Sequence, residues 1–151
     1  MAETAIPGVA HHILENDYAS EWMGIEVLRL SDGHATIRMT LRQEMLNGFG
    51  MAHGGMIFAF ADSAFALACN PASPADPDSI TVAAGVDINF LKPAYQGQVI
   101  TAVADRRSSA GRSGLYDIQI FAADPGADLS SGKPGELIAE FRGRSRTIPK
   151  K

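Results

Sequence analysis

The sequence predicts an α+β fold in which an antiparallel sheet wraps around one long central helix. Three observations predict it. Residues 54–70 form a single helix-length run of mostly apolar side chains. Two alternating stretches, 24–30 and 35–41, flank a Ser31-Asp32-Gly33 turn, which is a hairpin pattern. Four more stretches, 80–91, 99–104, 115–123 and 137–148, read as strands with no helix between them. Consecutive strands with a single apolar helix imply a sheet that buries that helix.

Taken in order, Leu14, Tyr18 and Trp22 recur at i, i+4 and i+8, which predicts a short amphipathic helix over 11–22 with His11 and His12 on its polar face. The hairpin and the central helix follow. Residues 71–78 carry Pro71, Pro74 and Pro77 and are expected as a surface loop. In the next strand Ile80, Val82, Ala84, Val86, Ile88 and Phe90 alternate with Thr81, Asp87 and Asn89, so the apolar set is expected on one face until Pro93 ends the strand. Segments 108–114 and 124–135 are expected as loops. No repeat or linker divides the chain, so residues 1–151 are expected as one domain, with a helical segment at 1–22 and a core over about 21–148.

Composition excludes several function classes. Thirteen basic residues against 17 acidic ones give a net charge of −4, which offers no general attraction to nucleic acid. The first ten residues lack the charged start and apolar core of a signal peptide. The apolar run is too short to span a membrane and carries Asp62. A single cysteine, Cys69, excludes an intramolecular disulfide and fits a reducing compartment. Lys150 and Lys151 read as a solvated tail. A soluble cytoplasmic protein without nucleic-acid or membrane partners is expected.

The chemistry concentrates in the helix. From Gly55 to Cys69 only Gly55, Asp62 and Ser63 interrupt the apolar residues. A helix apolar around its circumference is expected to be buried on all sides, and an unpartnered buried carboxylate is costly. Asp62 is therefore either bonded to a specific partner, such as a core Arg, or present for a reaction. Ahead of it, Asn47-Gly48 and Gly50 suggest a loose turn, and His53-Gly54-Gly55 begins the helix. Free N–H groups at a helix start, reached closely through glycine, suit an oxygen that becomes negative during a reaction. The alternative is that Gly54 and Gly55 merely permit tight packing. Spacing adds a constraint: eight residues of helix separate Gly54 from Asp62 by about 12 Å. A base and an oxyanion donor must each lie within about 3 Å of the reacting group. If both act on one carbonyl, they come from two copies of the chain, and catalysis requires a dimer.

At these residues the chain resembles the hotdog-fold acyl-CoA thioesterases, in particular the phenylacetic-acid-degradation group. The resemblance runs from about residue 21 to residue 147. It rests on Asn47, Ala52-His53-Gly54-Gly55 and Asp62-Ser63-Ala64-Phe65-Ala66, then on Asp87-Ile88-Asn89-Phe90-Leu91-Lys92-Pro93 with Gly97, and on Gly111-Arg112. It implies that Asp62 is the base or nucleophile and that the Gly54 N–H polarises the thioester carbonyl. Asn47 would position the carbonyl or the attacking water, and His53 would support the oxyanion loop or the leaving group. The site would lie between subunits of a homodimer, assembled as a dimer of dimers, with an acyl-CoA substrate and no cofactor. Gly85 departs from relatives that place a hydroxyl residue opposite the carboxylate.

Other residues carry weaker signals. Gly55, Phe58 and Phe65, with Met56, are candidates to line an acyl or aryl pocket, although any of them could be plain core. Arg106 and Arg112 are candidates for contacts with coenzyme A phosphates; together with Arg107 they could equally form a solvated hairpin. His53 shows no metal-ligand spacing with His11, His12 or His34, and no metal site is expected. Cys69 has no basic neighbour in sequence and reads as a core thiol. There is no G-x-S-x-G elbow. The function expected is hydrolysis of an aryl- or short-to-medium-chain acyl-CoA, phenylacetyl-CoA-like, to free acid and CoA. The alternatives are a hotdog hydratase or dehydratase and a non-catalytic acyl-CoA-binding module.

Overall fold

Gly33 adopts a φ of 69°, which lets the chain reverse from β1 (Glu26–Ser31) into β2 (His34–Thr40). The computed structural model describes residues 3–73 and 76–150; Pro74 of the expected proline loop and Lys151 of the tail lie outside the described residues. After β2 comes the long helix, α2 (Gly54–Cys69), preceded near the N-terminus by the short α1 (Tyr18–Met23). Four long strands follow: β3 (Ser79–Phe90), β4 (Val99–Ala110), β5 (Ser113–Ala123) and β6 (Glu136–Pro149). The six strands form one antiparallel sheet in the order β1-β2-β4-β5-β6-β3. Ile37, Ile100, Ala102, Ile118 and Phe141 of the sheet and Phe60, Ala61, Ala64 and Phe65 of α2 are buried in one core.

Five expectations are corrected. The helix expected over 11–22 is two pieces, a 3₁₀ turn (His12–Leu14) and α1. Side chains break it: His11 Nδ1 accepts the Ile13 N–H, and Asp17 Oδ1 accepts the Ser20 N–H, so each starts its own turn. His11 lies on no polar helix face. It is buried, and its Nε2 donates to the Asn70 carbonyl at 2.7 Å, fastening the N-terminal segment to the end of α2. Burial lowers its proton affinity, partly offset by that bond.

The expected loop at 108–114 is the tip of a hairpin. Ala110 pairs with Ser113 across Gly111-Arg112, and Gly111 takes a φ of 59°. Ladder pairing outweighs the weak strand preference of its Ser and Gly residues. In β3 a bulge between Ala83 and Gly85 inserts one residue opposite β6. Thr81 therefore shares the inner face with Val86 and Ile88, whereas Ile80 and Val82 turn outward and are exposed. Finally, α2 is not buried on all sides. Ile57, Phe60, Ala61, Ala64, Phe65 and Ala68 face the sheet, while Gly55, Phe58, Ala59, Asp62 and Ala66 form a stripe left open or half-open.

Candidate active site

The loop before α2 is built by the Asn47 side chain. Its Oδ1 accepts the N–H groups of Phe49 at 2.9 Å and Met51 at 3.2 Å, and the Asn47 backbone exchanges bonds with Met51 and Gly50. These acceptances fix the amide's orientation and leave Nδ2 without a partner among the described residues. Ala52 then bonds the Ala94 carbonyl and His53 bonds the Met45 carbonyl, so the helix entrance is held from two sides.

His53 is the N-cap of α2. Its Nδ1 accepts the Gly55 N–H at 3.0 Å, and its carbonyl accepts from Met56 and Ile57. Gly55's N–H is thereby occupied. The Gly54 N–H has no partner among the described residues, so the one free donor at this helix start is the one the sequence singled out. Beside it lies a cavity of about 410 Å³ lined by Ile57, Phe90, Leu91, Ala94 and Ile138 among others. A methyl group on Gly54 would stand 3.3 Å from Phe90 Cζ. The residue that carries the free N–H therefore lines this cavity.

Asp62 sits on the open stripe of α2, two turns further along, and is half-buried. No hydrogen bond or ion pair reaches its carboxylate among the described residues, and its proton affinity is raised, first by burial and then by the nearby Asp17 charge. The core-Arg partner that would make it structural is not found among those residues. Phe58, one turn earlier on the same stripe, is partly exposed and its ring packs 5.5 Å from that of Phe141. Phe65 is not pocket lining in the protomer: it is 1 % exposed, lies against Tyr116 and Phe141, and faces Gly143. Cys69 is a core thiol whose pKa burial pushes up to about 12.

The arginines separate. Arg106 forks onto Asp32 with contacts of 3.2 and 2.9 Å, tying β4 to the β1–β2 turn, so its guanidinium is engaged in a structural pair. Arg107 and Arg142 both pair with Asp117. Arg112 is exposed at the β4–β5 turn with no carboxylate partner among the described residues. Its carbonyl accepts the Thr147 N–H, and Arg146 and Arg144 lie opposite Ser113 and Leu115 on β6, equally without carboxylate partners among those residues. Arg144 and Arg146 were missed as site candidates, although their alternation with buried Gly143 and Ser145 is visible in the sequence. Phe90, Leu91 and Ile138 were missed as groove lining because only the fold brings β3, β6 and the helix entrance together. Among the described residues, no group of three or more His, Cys, Asp or Glu is placed to hold a metal, and no helix is long and apolar enough to cross a membrane.

Comparison with known proteins identifies the family. The thioesterase superfamily model matches residues 49–128, which contain the helix entrance, Asp62 and three strands. The acyl-coenzyme A thioesterase PaaI of Escherichia coli K12 is 36% identical over 139 residues, covering 92% of this chain and 89% of its own. The structure of E. coli PaaI, from the phenylacetic acid degradation operon, superposes with a TM-score of 0.77 at 34% identity, over 93% of this chain and 91% of that one. A mutant of the phenylacetic acid degradation protein PaaI from Thermus thermophilus gives a TM-score of 0.72 at 30% identity, over 86% and 98%. The chain belongs to the thioesterase superfamily, in its group of hotdog-fold acyl-CoA thioesterases.

Proposed function

We propose that the protein hydrolyses aryl- or short-to-medium-chain acyl-CoA thioesters, phenylacetyl-CoA-like substrates foremost, at a site shared between two copies of the chain. One observation carries the reading: a carboxylate without a partner among the described residues, Asp62, lies on the open stripe of the helix whose first residue, Gly54, has an N–H equally without a partner among them and borders an apolar cavity. The Gly54 N–H receives the carbonyl oxygen and stabilises its developing charge. Asp62 of the other copy either deprotonates the attacking water or attacks the carbon itself; both routes end in free acid and CoA thiol. Asn47 Nδ2 is the remaining donor near the carbonyl. His53 acts indirectly, by holding the Gly55 N–H and so setting the pitch of the first turn.

The crossed arrangement follows from the ~12 Å that eight helical residues span. It also accounts for the open stripe of α2 and for β3, a twelve-residue strand at the edge of the sheet, where an uncovered edge normally attracts a partner. Pairs of such dimers would give the tetramer expected from the sequence. Arg112, with Arg144 and Arg146, offers cations to the CoA phosphates. The reading places the enzyme in the cytoplasm, where CoA thioesters and a reduced Cys69 are compatible.

Free thiol released from a panel of acyl-CoAs tests it. The wild-type protein is expected to cleave phenylacetyl-CoA with a higher kcat/KM than palmitoyl-CoA, and Asp62→Asn to lose at least ~10²-fold. Binding of CoA thioesters without thiol release would favour the non-catalytic module, and water addition to an enoyl-CoA would favour the hydratase.

A further inference from the structure

Asp62 has a neighbour with connections of its own. Ser63 Oγ lies 2.8 Å from Ser20 Oγ, and Ser20 Oγ lies 2.6 Å from Asp17 Oδ2. Ser20 is fully buried on α1, and Asp17 is the cap of that helix. The direction of these bonds is determined. An ionised carboxylate only accepts, so the single Ser20 proton goes to Asp17. Ser20 can then only accept from Ser63, and the Ser63 proton points towards α1.

We propose that Asp17 is a positioning residue for the reaction of Asp62, acting through a one-way hydrogen-bond relay from Ser63 through Ser20. The proposal rests on the reading of Asp62 as the reacting carboxylate. The relay anchors the turn of α2 that carries Asp62 to a second element, which a carboxylate with no bonds of its own requires if it is to hold one orientation. It also holds a second negative charge near that turn. The other titratable groups around α2 are differently engaged. Glu21 of α1 accepts the Ala5 N–H, Cys69 stays protonated, Tyr116 on β5 is buried with its proton affinity raised, first by that burial, and His11 donates to the Asn70 carbonyl. Among the described residues the sheet face towards the helix adds hydroxyls, Thr81 and Ser145, but no further buried charged group. Asp17 is the charged group that acts on Asp62, and it adds to the effect of burial.

Asp17→Asn separates the relay from the fold, because the amide oxygen still caps the Ser20 N–H while the amide N–H₂ donates to Ser20 Oγ. The Ser20 proton must then turn towards Ser63, which reverses the relay and removes the charge. Two readouts are taken on the full-length protein: the titration of the Asp62 carboxyl by ¹³C NMR, and kcat/KM against pH with phenylacetyl-CoA. In Asp17→Asn both the Asp62 titration and the acid limb of the rate profile are expected to move to lower pH together. Ser63→Ala is expected to lower kcat about 10-fold or more with little change in KM, on the scale by which misplaced groups slow reactions, and Ser63→Thr to restore it. An Asp62 titration and acid limb unchanged in Asp17→Asn, or wild-type kcat in Ser63→Ala, would overturn the proposal; the second variant decides the matter if the first does not fold. A wild-type protein that releases no thiol overturns the thioesterase reading instead, and the NMR titration still judges the coupling.

Discussion

At Gly54 the group that the proposed reaction uses is a backbone N–H. It has no partner among the described residues, and His53 before it is already extended, with φ −65° and ψ 133°, as a residue preceding proline must be. Proline is tolerated at the first position of a helix. Gly54→Pro is therefore expected to fold and to remove only the donor, while Gly54→Ala brings a comparable Cβ towards Phe90 and keeps it. Relative to Gly54→Ala, kcat for the proline variant should fall about 10²–10³-fold, the usual effect of losing one oxyanion donor. Asn47 is similarly divisible. Asn47→Asp keeps the two accepted loop bonds and removes Nδ2, so it should melt near the wild-type temperature with much reduced turnover, whereas Asn47→Ala should lose both. Asp62 offers a test through stability. Burial and then Asp17 raise its pKa in the fold. The fold is thus most favoured below the ordinary carboxylate pKa, and it loses that advantage as pH rises through the raised value. Asp62→Asn should melt above wild type at neutral pH, with the gap closing in acid. Asp62 and Gly54 stand out in the sequence because each departs from its local context, and the fold leaves both without a partner among the described residues. The double acceptance by Asn47 and the Ser20–Ser63 bond were not legible in the sequence, since they depend on where a loop closes and where α1 packs.

Among the elements, α2 and the Asp32-Gly33 hairpin were the most legible, because apolar length and turn chemistry are local signals. The split at Asp17, the bulge after Ala83 and the full length of the β4–β5 hairpin were not. Each is decided by a competing bond: a cap, an extra residue against β6, a ladder that continues through Ser and Gly. Helix and sheet also meet through one contact with little tolerance. A Cβ on Gly143 would stand 2.6 Å from the Phe65 ring, so Gly143→Ala must displace Phe65 or bend β6. Overpacking of this kind costs about 1–3 kcal/mol, to be read as a lower midpoint in urea with an unchanged slope. At the other end of α2, His53→Ala removes the cap on Gly55 and should cost about 0.5–2 kcal/mol. His53→Ser should recover most of that stability, since a hydroxyl caps equally well.

For the whole molecule, the proposed shared site would cover surfaces left open in one copy. The stripe of Phe58 and Asp62 on α2, the exposed Phe90 and the unpaired edge of β3 belong to the site or adjoin it. Helix arithmetic in the sequence leads to the proposal of a second copy, but not to which side of α2 stays open, because a nearly uniform apolar run conceals its facing until the sheet is formed. The central claim is that each site takes Asp62 from one chain and Gly54 from its partner. Asp62→Asn and Gly54→Pro chains, each nearly inactive, can be unfolded together and refolded, with mass spectrometry confirming mixed dimers. Under two-fold symmetry a mixed dimer holds one doubly damaged site and one intact site, so random pairing should leave about a quarter of all sites intact. Thiol release from phenylacetyl-CoA should recover to about a quarter of the wild-type rate. Confirmed mixed dimers with no more activity than the parent variants would mean that both residues act within one chain, contradicting the shared site.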